Sequence, residues 1–123
     1  EPSDRDREVY ELVLAAQRAG LDAVRPGPRG REVDAVAREI IAAAGHGEHF
    51  GHGLGHGVGL VPHEAPRLSR TAEARLVAGH VVTVEPGVYL PGVGGVRIED
   101  LVVVTDAGCD VLTGTTKELL TVD

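Results

Sequence analysis

Residues 49–64 read HFGHGLGHGVGLVPHE, and four of the chain's six histidines fall within them. Every odd position from 51 to 59 is Gly, while the even positions carry Phe50, His52, Leu54, His56, Val58 and Leu60. An extended chain points successive side chains to opposite faces. The stretch therefore reads as a strand with one decorated face and one face of bare backbone. Glycine weakens a strand, so the pattern predicts close approach of another backbone or of a ligand. It also marks a change of period, from helical before residue 48 to two after it.

Upstream, residues 1–25 read as a helix. Ser3 with Asp6 resembles a capping box, and Val9, Leu12, Val13, Ala16, Ala19 and Ala23 recur at helical spacing. RPGPRG at 25–30 breaks it. A second helix is expected from about Arg31 to Ala44, with Val33, Val36, Ala37, Ile40, Ile41 and Ala44 on one stripe and Gly45 as its C-terminal cap. Downstream, strands are predicted at 80–85, 87–90, 96–105 and 109–113, with turns at 91–95 and 106–108. Residues 65–79 read as loop with a short helical turn. Two helices followed by four or five mostly antiparallel strands define an undivided α+β layer.

At 123 residues the chain suits one small domain, and 42% apolar content is enough for an aliphatic core. The net charge of −7, with no basic run, argues against nucleic acid and acidic membrane surfaces as partners. No apolar stretch is long enough to span a membrane. Cys109 is the lone cysteine and fits a reducing, cytoplasmic setting. The chain contains no Met, so it is expected to be a processed product or part of something longer.

Three residues could carry chemistry together. Glu85 ends an aliphatic strand and is held extended by Pro86; Thr83 shares its face. Glu99 lies in another aliphatic stretch with Arg97 on its face. An acid amid VRIEDLVVV is hard to bury without a partner. Glu99 could equally pair with Arg97 at a sheet edge or face water. One imidazole, His56, and these two carboxylates could converge on a divalent cation such as Mn²⁺, Co²⁺ or Fe²⁺, or on Zn²⁺. The spacing alone is a weak signal, and a single histidine is more often structural. No GxSxG elbow or phosphate loop is present, and Cys109 has no positive neighbour to activate it.

At these residues the chain resembles a known family. HGLGHGVGLVPHEAP (52–66), VVTVEPGVYLPGVGGVRIEDLVVVT (81–105) and GCDVLTGTTKEL (108–119) are similar to the C-terminal half of a Xaa-Pro peptidase. That is the proline aminopeptidase and prolidase branch of the M24 metallopeptidases, which have the pita-bread fold. The resemblance covers essentially the whole chain. It implies that His56, Glu85 and Glu99 are metal ligands, with Glu99 bridging two divalent ions. It further implies that His52 and His63 line the substrate pocket, that Glu85 handles the proton, and that Arg97 supports the ligands from behind. His49 receives no role. The family's reaction is attack of a metal-bridging hydroxide on an N-terminal Xaa-Pro bond.

Two departures qualify the likeness. Val61-Pro62 stands where the family has an acidic and then an apolar residue, and Pro62 removes a backbone donor beside His63. The family's two aspartate ligands belong to an upstream segment that these 123 residues do not include. The resemblance therefore implies half a site, weak metal binding and little peptidase activity from this chain alone. The expected partners are a peptide with proline second and either another copy of the chain or a complementary half. A non-catalytic interaction module and a metal-independent creatinase-like hydrolase are the competing classes.

Overall fold

In the computed structural model, which describes residues 1–122, two helices lie against an antiparallel sheet. Helix α1 spans Asp4–Ala23, and its N-terminus carries the expected capping box. The Ser3 hydroxyl accepts from the Asp6 N–H, while the Asp6 carboxylate accepts from the Ser3 N–H. Val9, Val13 and Ala16 of this helix enter the core. Gly20 lets it approach the sheet: a methyl group there would lie 3.2 Å from the Val84 side chain.

Helix α2 spans Gly30–Ala43. Val33, Ala37 and Ile41 are buried, but the apolar stripe does not map wholly onto the core. Val36 and Ala44 are exposed, whereas Asp34 is 1% exposed. Arg38, one turn on, meets the Asp34 carboxylate through Nε at 2.7 Å and Nη2 at 2.9 Å. A bidentate partner makes the buried charge tolerable.

The strand pattern differs from the sequence expectation in three places. A 3₁₀ turn at Gly47–His49 precedes a strand β1 of only three residues, Gly55–Gly57; residues 58–63 form turns rather than a continuing strand. Strand β2, Glu64–Leu68, occupies part of the expected loop. The stretch 96–105 divides into β5 (Gly94–Arg97) and β6 (Asp100–Thr105), which belong to different sheets. Strand β3 (Val81–Val84), β4 (Gly87–Leu90) and β7 (Gly108–Val111) fall where expected. The main sheet runs β2-β1-β3-β6-β7, and β4-β5 forms a separate hairpin.

One break explains another. Glu85 and Pro86 separate β3 from β4, and proline cannot donate to a ladder. Their partners must divide opposite that point, so β6 pairs with β3 while β5 pairs with β4. The Ile98 N–H closes the corner on the Pro86 carbonyl at 3.3 Å.

Three glycines of the run, Gly53, Gly55 and Gly57, do meet backbone, whereas Gly51 is open and Gly59 faces the Glu64 carboxylate. A Cβ at Gly53 would lie 2.7 Å from the Leu68 carbonyl oxygen; at Gly55 it would fall 1.8 Å from that of Thr83, and at Gly57 2.2 Å from that of Ala65. The period-two reading thus gives the right reason for these three glycines, although the regular strand is short. No described helix is long and apolar enough to cross a membrane.

Candidate functional site

The short strand β1 places His56 beside the end of β3. The Glu85 N–H donates to the Leu54 carbonyl at 2.7 Å, which fixes the carboxylate next to the glycine run. His56 Nε2 lies 3.0 Å from Glu85 Oε1. Both side chains are largely buried. Thr83 links them: its hydroxyl accepts from the His56 N–H at 3.1 Å and donates to Glu85 Oε1 at 2.8 Å. The expected common face of Thr83 and Glu85 is therefore a direct contact.

The tautomer of His56 decides what this pair can do. Nδ1 lies 2.9 Å from the Gly57 carbonyl oxygen, which accepts and requires a proton on Nδ1. In the neutral ring, Nε2 then presents a lone pair to the Glu85 carboxylate. Only a proton or a cation between them makes the contact attractive. A ligating histidine whose other nitrogen donates to a backbone carbonyl is the usual arrangement around metal ions.

His63 packs edge-on against His56, with ring centroids 4.5 Å apart, and its carbonyl accepts from Arg67 Nη2 at 3.2 Å. The loop before it is organised by Glu64, whose carboxylate accepts from the Leu60 and Val61 N–H groups. His52 lines the same cavity of about 560 Å³, together with His56, His63, Glu85, Arg67 and Arg97. Its Nδ1 donates to the Gly53 carbonyl at 2.7 Å, so Nε2 accepts from the Tyr89 hydroxyl at 2.7 Å.

Arg97 sits 3.6 Å from Glu85 Oε2 and is half exposed. The Tyr89 hydroxyl beside it, and then the Glu85 and Glu99 carboxylates, hold its guanidinium above the usual arginine range. Its ion-pair partner is thus Glu85 rather than Glu99. Glu99 is exposed and does not line this cavity. Its neighbour Asp100 is the buried acid of the IED run, held by Gln17 Nε2 at 2.6 Å and Lys117 Nζ at 2.6 Å.

Three contributors were not singled out from the sequence. Tyr89 alternates outward on β4 and folds over glycine: a Cβ at Gly87 would lie 2.5 Å from its hydroxyl. The GVY and GG spacing carries that signal. Asp34 and Arg38 are the others. The Leu54 N–H donates to Asp34 Oδ1 at 2.9 Å, and Arg38 donates to the Phe50 and His52 carbonyls at 2.9 and 2.8 Å. The pair thereby clamps the segment that carries His52. An i,i+4 acid–base pair on a helix ordinarily reads as a solvated face, which conceals this role.

Histidine and carboxylate donors of this kind suit a divalent transition ion. Among the described residues, however, no three His, Cys, Asp or Glu side chains gather closely enough to hold one. The donor set fits part of a metal site and not a closed one.

Two helices on a five-stranded antiparallel sheet match part of a pita-bread fold. The structure superposes on prolidase from Pyrococcus horikoshii with a TM-score of 0.94 at 48% identity, covering 98% of this chain and 35% of that one. Against a Xaa-Pro dipeptidase from Bacillus anthracis the score is 0.95 at 51% identity, with 98% and 34% covered. The sequence is 51% identical over 119 residues to the Xaa-Pro dipeptidase of Pyrococcus furiosus, spanning 97% of this chain and 34% of that protein. Residues 1–106 match the model of metallopeptidase family M24, and the chain belongs to that family. It spans about a third of the length of the relatives it matches.

Proposed function

We propose that this chain contributes one side of the active centre of a Xaa-Pro dipeptidase or aminopeptidase, with His56, Glu85 and Glu99 as ligands to divalent ions. The observation that carries the reading is the His56–Glu85 pair: Nε2 faces Oε1 at 3.0 Å, while Nδ1 is committed to the Gly57 carbonyl. Bound divalent ions, Mn²⁺ or Co²⁺ before Zn²⁺ or Fe²⁺, would acidify water and polarise the peptide carbonyl. The likeness to metal-dependent Xaa-Pro dipeptidases supports this choice of chemistry.

In this reading Glu85 accepts and returns the proton, with Thr83 fixing the oxygen that faces His56. His63 contacts the substrate carbonyl or carboxylate, and so does His52 once a protonated Nε2 turns from the Tyr89 hydroxyl to the substrate. Arg97 balances the charge of Glu85 and keeps its second oxygen in place. The exposed position of Glu99 supports assigning it to a site completed by other residues. A complementary half of the catalytic domain, or a second copy of the chain, would supply the remaining carboxylates. Val58, Leu60 and Val61, apolar and exposed beside His56, suit such a contact; Leu60 is 100% exposed. The isolated chain would bind these ions weakly and cleave little.

A chimaera tests the proposal. Residues 1–123 would replace the matching segment of the Pyrococcus furiosus Xaa-Pro dipeptidase, and cleavage of a Xaa-Pro dipeptide would be followed with Mn²⁺ or Co²⁺ present. The chimaera should be active, and His56→Ala or Glu85→Gln should reduce kcat at least about a hundredfold. A folded but inactive chimaera, or variants that retain full activity, would rule the assignment out.

A further inference from the structure

The tail GCDVLTGTTKEL (108–119) carries part of the family likeness, yet its residues beyond β7 have no role in the reading above. They form no regular structure, and among residues 112–122 only Thr113 and Lys117 are partly buried. Those two side chains bond to the start of β6. The Thr113 hydroxyl accepts from the Leu101 N–H at 2.9 Å, while the Leu112 N–H donates to the Leu101 carbonyl at 2.8 Å. Lys117 Nζ reaches Asp100 Oδ1 at 2.6 Å, and Gln17 Nε2 of α1 donates to Oδ2 at 2.6 Å. The Tyr10 hydroxyl, also on α1, donates to the Lys117 carbonyl at 3.0 Å. An exposed irregular segment buries too little apolar surface to offset its own ordering, so these bonds hold it in place.

Asp100 and Leu101 open β6 directly after Glu99. Their other edge meets β3, with Asp100 opposite Val84 and Leu101 opposite Thr83. The β4–β5 hairpin keeps the same register, because Gly87 opposite Arg97 continues that count. Glu85 and Glu99 therefore fall opposite one another at the corner between the two ladders, where the Ile98 N–H bonds to the Pro86 carbonyl. Opposite residues of antiparallel strands have Cβ atoms about 5 Å apart and face the same side. Glu85 is fixed by Thr83, the Leu54 carbonyl and Arg97. Glu99 is exposed, so the placement of its carboxylate depends on its backbone.

We propose that Thr113 and Lys117 are positioning residues: the tail straps the start of β6 and thereby holds Glu99 opposite Glu85 for shared binding of a divalent ion. Asp100, held inward at both oxygens, keeps its neighbour Glu99 on the opposite face. Leu101, bonded to the tail through both its N–H and its carbonyl, fixes that strand end against fraying. This role rests on the reading of Glu99 as a metal ligand.

The chimaera with the Pyrococcus furiosus Xaa-Pro dipeptidase provides the test, with Mn²⁺ binding read directly from the electron paramagnetic resonance signal of the free ion. Lys117→Ala should weaken Mn²⁺ binding about tenfold or more. KM for a Xaa-Pro dipeptide should stay near its original value, since His52 and His63 are untouched. Lys117→Arg, which keeps a cation for Asp100, should recover most of the affinity. The double variant D100N/K117A separates positioning from stability. It removes the unpaired buried charge, so the urea midpoint should return toward that of the unsubstituted chimaera while Mn²⁺ binding stays weak. Undiminished Mn²⁺ binding by Lys117→Ala would overturn the proposal, as would full recovery of affinity in the double variant. A chimaera that binds Mn²⁺ in the expected pattern but cleaves nothing would sink the peptidase reading and leave the strap standing. A folded chimaera that binds no Mn²⁺ would overturn both.

Discussion

Replacing Arg38 with Ala should cost this protein about 3 kcal/mol. Arg38 makes two hydrogen bonds to the Asp34 carboxylate and one each to the Phe50 and His52 carbonyls, and its guanidinium lies 4.0 Å from the centre of the Phe50 ring. Its loss leaves a carboxylate that is 1% exposed with the Leu54 N–H as its remaining donor. Removing one member of a buried ion pair costs about 3–5 kcal/mol, because the other charge stays desolvated. The lower end applies here, since Phe50, Gly51 and His52 border an open cavity from which water can reach the freed carbonyls. Urea denaturation followed by circular dichroism measures the loss. With a slope of about 1.5 kcal/mol/M, the midpoint should fall by about 2 M. A double variant isolates the cause. Asp34→Asn keeps an acceptor for the Leu54 N–H and removes the charge, so D34N/R38A should recover at least about 1 kcal/mol relative to R38A. A midpoint shift below about 0.5 M in R38A would refute the clamp. Equal stability of the single and double variants would refute the buried charge as the source of the cost.

Two further outcomes follow from packing and titration. Gly55→Ala would drive a methyl group into the Thr83 carbonyl, which is backbone and cannot move aside; a loss of about 3 kcal/mol or outright misfolding is expected in the same urea assay, and a stable variant would remove the packing explanation for the glycine run. Burial, then the Asp110, Asp22 and Asp100 carboxylates, push the Cys109 thiol above its ordinary value of 9.0. The folded state thus favours the neutral thiol. Below the unfolded pKa of 9.0 both states hold the proton and stability is at its full value; as pH rises through 9 and then the folded pKa, the unfolded chain ionises first and stability falls. Iodoacetamide should label native Cys109 more slowly at pH 8 than the urea-unfolded chain; equal rates would refute the shift.

Much of the architecture was legible from local chemistry. Ser3 and Asp6 announce the start of α1 because a cap is a contact between residues three apart. The glycine alternation announces close backbone approach because period two is a property of any extended chain. Thr83 and Glu85 share a face for the same reason, and their hydrogen bond follows. From residue chemistry alone His56 and Glu85 were a weak candidate pair, to which the family likeness gave roles, since nothing local links residues on two different strands.

What local chemistry could not decide is which partner each segment finds across the fold. Asp34 reads as a solvated residue of α2, yet it is buried because residues 50–54 cross over it and bring a backbone N–H to its carboxylate. Within IED, alternation cannot say which acid points inward; the split at Ile98 does, sending Asp100 to Gln17 and Lys117 and leaving Glu99 exposed. Residues 64–68 lack a strong strand pattern and become a strand because β1 offers them an edge. Local patterning dictates the helices, the need for glycine and the residue types of the candidate site. Burial of charge, register and the meeting of His56 with Glu85 were decided by tertiary structure, because each is a contact between segments far apart in the chain.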